Sequence, residues 1–93
     1  MSAPSPSNLR KLNAAAIARE RAGKRLNRAM ERLYAAYLGG RRTLFQKLYA
    51  VCERLDAALG RALEREGVCE RMCPGVSWDC YAGRYVLARK GVL

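Results

Sequence analysis

Two adjacent glycines, Gly39 and Gly40, separate two stretches of this chain that each repeat apolar residues at helical spacing. Before the pair, apolar side chains recur every three or four residues, and the same spacing resumes at Leu44 and ends near Gly67. This spacing is typical of amphipathic helices, and glycine ends a helix readily because it adopts the left-handed conformation without a Cβ clash. Two long helices joined by so short a connection favour an antiparallel helical hairpin.

The first helix is predicted over about residues 8–38 and the second over about 42–66. The apolar seam of the first helix is formed by Leu9, Leu12, Ala16, Leu26, Met30, Leu33 and Tyr37. The second helix has a wider apolar face, because Phe45, Cys52 and Leu59 flank its seam. We expect either the C-terminal segment or a second copy of the chain, in a homodimer, to cover the part of this apolar face that the first helix does not.

In the C-terminal segment, residues 68–93, helical apolar spacing gives way to turn and strand signals. Pro74-Gly75 is a turn signal, apolar and polar residues alternate around Trp78, and residues 84–89 are rich in strand formers. The expected fold class is therefore mainly α: an antiparallel two-helix hairpin, with a short C-terminal β-hairpin or an irregular cysteine-containing segment packed on it. A flexible lead-in is predicted for residues 1–7 and a single small domain for 8–93.

The positive charge is concentrated in the first half of the chain. The net charge is +10, and residues 1–50 contain eleven of the eighteen basic residues but only two of the eight acidic ones. A localised positive field attracts polyanions or acidic protein surfaces. The candidate binding residues are Arg10, Arg21, Lys24, Arg25, Arg28, Arg32, Arg41 and Arg42.

Four of these arginines, from Arg21 to Arg32, are spaced by four, three and four residues, which places them on one helix face. Like charges this close repel each other unless an anion neutralises them, so DNA or RNA phosphates are the expected ligand. A solvated helix face without a ligand would have the same pattern. The alternative function is that of an adaptor or antagonist that docks on an acidic partner protein, in the style of small accessory proteins of phages or mobile elements.

The four cysteines, Cys52, Cys69, Cys73 and Cys80, could bind one Zn²⁺ tetrahedrally. The spacing of Cys69 and Cys73 is only loosely ligand-like, however, and Cys52 falls on the apolar face of the second helix. Buried free thiols are therefore favoured, with a disulfide from Cys69 or Cys73 to Cys80 as another alternative. No cofactor is expected.

The aromatic residues can stack on bases or anchor an interface, but core and hairpin-tip packing explains most of them better. Tyr34 is the exception, since it lies beside the predicted seam.

An enzyme is not expected, because the chain has no histidine and its acids are mostly interleaved with arginines. Neither a secretion signal nor a membrane-spanning run is apparent, so we expect a cytoplasmic protein without a membrane partner. The sequence thus predicts a small binding protein and leaves open whether its partner is a nucleic acid or a protein.

Overall fold

A computed structural model describes residues 6–88 as two long α-helices followed by a two-stranded antiparallel sheet. Helix α1 spans Pro6–Leu38, α2 spans Arg42–Arg71, and the strands are β1, Val76–Asp79, and β2, Arg84–Leu87. The predicted mainly α hairpin and its C-terminal β-hairpin are confirmed, and the molecule is a rod of 58 × 22 × 16 Å. Most of the predicted lead-in lies outside the described residues.

The connection between the helices begins with a Schellman motif at the end of α1. Gly40 has a φ of 67°, and the N–H groups of Gly40 and Arg41 donate to the carbonyls of Tyr37 and Ala36 at 3.2 and 3.0 Å. The left-handed conformation is cheap only for glycine, and these hydrogen bonds satisfy carbonyls at the helix end. The turn predicted from the glycine pair therefore forms, and it starts α2 at Arg42.

Both helices are longer than predicted. Helix α1 begins at Pro6, where a missing N–H costs nothing because the first turn has no partner for it. Helix α2 continues past Gly67 to Arg71. A glycine inside a helix costs only about 1 kcal/mol, whereas a proline cannot continue it, so the helix ends just before Pro74 and not at Gly67.

Helix α1 contributes mostly alanines to the buried core. The buried residues of α1 are Leu12, Ala15, Ala16, Ala29 and Ala36. The prediction that Met30 and Tyr37 belong to the seam is wrong, since they are 52% and 67% exposed. Small side chains let the two helix backbones approach closely. In addition, residues at strict 3-4 spacing repeat every 3.5 residues, whereas the helix has 3.6 residues per turn, so over a long helix these residues shift to a different face. The seam therefore moves onto Ala29 and Ala36.

The β-hairpin lies at the open end of the helical hairpin, against α1. Trp78 pairs with Tyr85 across the strands, and their rings contact edge-to-face with centroids 5.0 Å apart. The loop between the strands is closed by Asp79, whose Oδ1 accepts the N–H groups of Tyr81 and Ala82 at 2.9 and 3.1 Å.

The side chain of Asn13 attaches this sheet to α1. Its Oδ1 accepts the N–H of Tyr85 at 2.7 Å, and its Nδ2 donates to the carbonyl of Tyr85 at 3.2 Å. These two bonds are the ones that a third strand would make to the edge of β2. An isolated two-stranded hairpin is marginal in water, so this amide supplies pairing that the small sheet needs.

Substitution of Asn13 by Leu is expected to loosen the β-hairpin. The isosteric side chain leaves both backbone groups of Tyr85 without protein partners, which costs about 1–3 kcal/mol in free energy of unfolding. Hydrogen exchange at the Tyr85 amide should become faster, and urea denaturation should show the loss of stability. Asn27→Leu, at an exposed position of the same helix, is the matched control. An unchanged Tyr85 amide in the Asn13 variant would contradict the assignment.

Candidate basic binding face

All eight basic residues predicted to bind a partner are exposed. Helix α1 carries six of them, and the other two stand at the N-terminus of α2. At a rise of about 1.5 Å per residue, Arg10 and Arg32 lie about 33 Å apart along α1. We call this set the basic face; it comprises Arg10, Arg21, Lys24, Arg25, Arg28, Arg32, Arg41 and Arg42.

The charge of the basic face is largely unneutralised within the protein. Among residues 6–88, Lys24 is the member of the set with a carboxylate partner, Glu20 at 3.5 Å, and both side chains are exposed. The seven arginines of the face make no ion pair with a carboxylate of the described chain. An exposed pair of this kind contributes about 0.3–0.5 kcal/mol and is easily exchanged for another partner. The face therefore presents guanidinium groups that are available to an external anion.

Part of the basic face borders a shallow groove between the helices. Arg25, Arg28 and Arg32 line it on α1, and its apolar lining comes chiefly from Leu48, Val51 and Leu55 of α2. Towards the connection the groove continues, lined by Arg32 and Arg41 together with Leu44 and Leu48. We call this the arginine-bordered groove. It combines positive charge with aliphatic surface, a juxtaposition that single-helix spacing did not predict.

At the connection itself, aromatic and basic side chains meet in an open pocket of about 390 Å³. We call it the tip pocket; its lining residues are Ala36, Tyr37, Gly40, Arg41, Arg42 and Phe45. The centroids of Tyr37 and Phe45 are 6.0 Å apart, and Phe45 stacks on Tyr49 at 6.2 Å with an interplanar angle of 29°.

Core and hairpin-tip packing was the expected role of most of these rings, yet Tyr37 and Tyr49 are 67% and 51% exposed. The glycine turn is the signal that could have identified the pocket, since it brings residues on either side of Gly40 together.

Arg19 differs from the basic face because the protein neutralises it internally. Its Nε and Nη2 donate to Oε2 and Oε1 of Glu66, the second at 3.3 Å, and the hydroxyl of Tyr85 donates to Oε1 at 2.8 Å. The guanidinium also lies 5.8 Å from the centroid of the Trp78 ring. We call Arg19, Glu66 and Tyr85 the polar network. It links α1, α2 and β2, so Arg19 helps to hold these three elements together.

The polar network shifts the pKa values of its members. Burial acts to raise the pKa of Glu66, but hydrogen bonds from Arg19 and Tyr85 outweigh it and hold the pKa of this carboxyl below its ordinary value. The hydrogen bond to Glu66 raises the pKa of Arg19. Burial and the same carboxylate raise the pKa of Tyr85 to about 12. The network is therefore stable with Glu66 ionised and Tyr85 protonated.

Stability should consequently fall at both ends of the pH scale. The lowered pKa of Glu66 gives stabilisation that is complete above its ordinary value of 4.5 and is lost as pH falls through the folded-state value. The raised pKa of Tyr85 gives stabilisation that is complete below pH 10.0 and is lost as pH rises to about 12. Urea denaturation at stepped pH measures both losses. In Tyr85→Phe the alkaline loss should be smaller; an alkaline loss equal to that of the wild type would refute the assignment.

The cysteines form neither a disulfide nor a metal-binding cluster in the described chain. All four are free thiols, with Cys52 and Cys73 buried, Cys69 intermediate and Cys80 exposed. Within residues 6–88, no three side chains of the ligand-forming types come close enough to hold a metal ion. The structure thus does not assemble the zinc set of Cys52, Cys69, Cys73 and Cys80, nor the disulfide considered between Cys80 and Cys69 or Cys73.

Neither helix of the described chain has an apolar stretch long enough to cross a bilayer. Comparisons of the chain with protein-family models, curated proteins and solved structures find no match.

Proposed function

We propose that this chain is a non-enzymatic nucleic-acid-binding protein that contacts phosphates through the basic face. The observation that carries the proposal is a contrast between arginines. The polar network neutralises Arg19, whereas the seven arginines of the basic face are exposed and have no carboxylate partner within residues 6–88. Leaving so many like charges on one side is unfavourable in the free protein and becomes favourable on a polyanion.

Guanidinium groups suit this role because their planar donor fork binds a phosphate through two hydrogen bonds and stays charged at any physiological pH. Contacts to phosphates position a protein along a strand without reading its bases. We therefore expect binding to DNA and RNA with little sequence preference. A cytoplasmic location, where nucleic acid is accessible, is part of the proposal.

The test is a salt titration of binding to unrelated DNA and RNA oligonucleotides, followed by fluorescence anisotropy. The logarithm of the binding constant should fall linearly with the logarithm of salt concentration, with a slope of about 0.9 for each duplex phosphate contacted. Absence of binding at low salt would eliminate the proposal.

A second candidate function is favoured by the arginine-bordered groove. Its aliphatic lining from Leu48, Val51 and Leu55 is of little use to a phosphate, but it suits the apolar side of an amphipathic helix whose acidic residues face Arg25 and Arg28. In this second candidate the protein is an adaptor or antagonist that docks on an acidic partner protein. Val51→Ser separates the candidates, because it should weaken the docking of an acidic amphipathic peptide and leave phosphate binding unchanged.

A further inference from the structure

We infer that the tip pocket binds an unpaired nucleotide, so that the nucleic acid recognised is single-stranded, at least where it meets the end of the rod. This inference rests on the proposed function and specifies its substrate class. It starts from a juxtaposition at the helix connection, where two aromatic rings and two guanidinium groups line one open pocket.

The aromatic side chains of the tip offer ring faces to a ligand. Tyr37 contacts Phe45 but keeps 67% of its surface exposed. Tyr49 contacts the other side of this pair through Phe45, so three aromatic rings follow one another from the connection along α2. Flat apolar rings left in water are costly to hydrate, and every base has a π-face that can cover one. Stacking of a base on such a ring strengthens binding about 5-fold to 100-fold.

The charges of the tip suit the backbone of the same strand. Arg41 and Arg42 line the pocket beside Tyr37, and neither makes an ion pair with a carboxylate of the described chain. A base stacked on Tyr37 would therefore have two guanidinium groups nearby for its flanking phosphates. Arg41 lines both the tip pocket and the arginine-bordered groove. The other basic residues of that groove are Arg25, Arg28 and Arg32, so a strand that passes Arg41 on leaving the pocket reaches them.

A single strand fits these features better than a duplex or an acidic peptide. In a duplex, the faces of the bases are covered by their neighbours, so Tyr37 would gain nothing from it. A peptide of acidic residues alone would pair with Arg41 and Arg42 but would leave the rings exposed. A single strand carries flat bases and regularly spaced phosphates along its whole length, so it uses both the rings and the guanidinium groups of the pocket.

The experiment compares Tyr37→Leu with wild type in anisotropy titrations against a labelled single strand of about 16 nucleotides and against the duplex of the same length. Loss of the stacking surface should weaken single-strand binding about 5-fold to 100-fold and leave duplex binding unchanged. Tyr81→Leu is the matched control, because Tyr81 is a fully exposed tyrosine at the opposite end of the molecule and should have no effect.

The outcomes separate the inference from the proposed function. A wild-type protein that binds neither oligonucleotide overturns both. Salt-dependent binding that is equal in the wild type and in Tyr37→Leu overturns the tip pocket and leaves the phosphate-binding face standing. Equal losses on strand and duplex would also refute the inference, since stacking on an unpaired base cannot explain them. Circular dichroism of the variant verifies that the helices are intact.

Discussion

Replacing Arg21, Arg25, Arg28 and Arg32 together by Gln is expected to lower nucleic-acid affinity about 100-fold or more at 0.1 M salt. Each phosphate that loses its guanidinium keeps its condensed counterions, so the entropy of their release is lost. The slope of the salt titration should decrease by about 3 to 4 on duplex DNA. Anisotropy titrations over a range of salt concentrations give affinity and slope from the same samples.

Two further variants show whether affinity depends on the position of the positive charges or only on their number. The quadruple Arg→Lys variant keeps the charge and should retain most of the slope, although single contacts lose their bidentate geometry. Arg71→Gln with Arg84→Gln removes exposed charges outside the basic face and should change affinity little. A quadruple Gln variant that keeps the wild-type slope would show that the basic face does not contact phosphates. All four positions are exposed, so the helical signal in circular dichroism should be unchanged.

The second large effect concerns folding. Glu66→Leu is expected to lower the free energy of unfolding by about 2–4 kcal/mol. The substitution leaves the guanidinium of Arg19 without its counter-charge and the hydroxyl of Tyr85 without its acceptor. Because the Arg19 side chain is 32% exposed, water offsets part of the penalty and the loss stays below that of a fully buried pair. Urea denaturation followed by circular dichroism measures it.

Glu64→Leu is the matched control, since it removes an exposed glutamate from the same helix and should cost little. The double variant Arg19→Leu with Glu66→Leu should be more stable than Glu66→Leu alone, because no uncompensated charge remains near the seam. If Glu66→Leu unfolds at the wild-type urea concentration, the polar network does not stabilise the fold.

The helical hairpin was predictable because its determinants are local. Apolar spacing fixes which stretches are helical, and the need for a left-handed residue fixes the turn at Gly40. The exposure of the basic face was predictable for the same reason, since residues three and four apart share a helix face whatever lies on the other side.

The remaining features depend on how distant elements meet. Arg19 and Glu66 are 47 positions apart, and Asn13 and Tyr85 are 72 apart. For Arg19 and Glu66 this is decided by the axial offset and rotation of one helix against the other, and for Asn13 and Tyr85 by where the β-hairpin packs on α1. Periodicity specifies neither. The burial of Ala29 and Ala36 depends on the same relative placement of the helices. The helices approach each other at these two alanines, and Met30 and Tyr37 are left exposed.

The polar network lies about 30 Å along α1 from the tip pocket, because Arg19 precedes Gly40 by 21 residues at about 1.5 Å each. Substitutions of the exposed tip residues Tyr37, Arg41 and Arg42 therefore leave the polar network untouched. Natural selection could exchange one ligand for another at that end through changes of exposed residues alone. A laboratory could do the same by randomising Tyr37, Arg41 and Arg42 while keeping the buried Ala36 and the turn residue Gly40 constant.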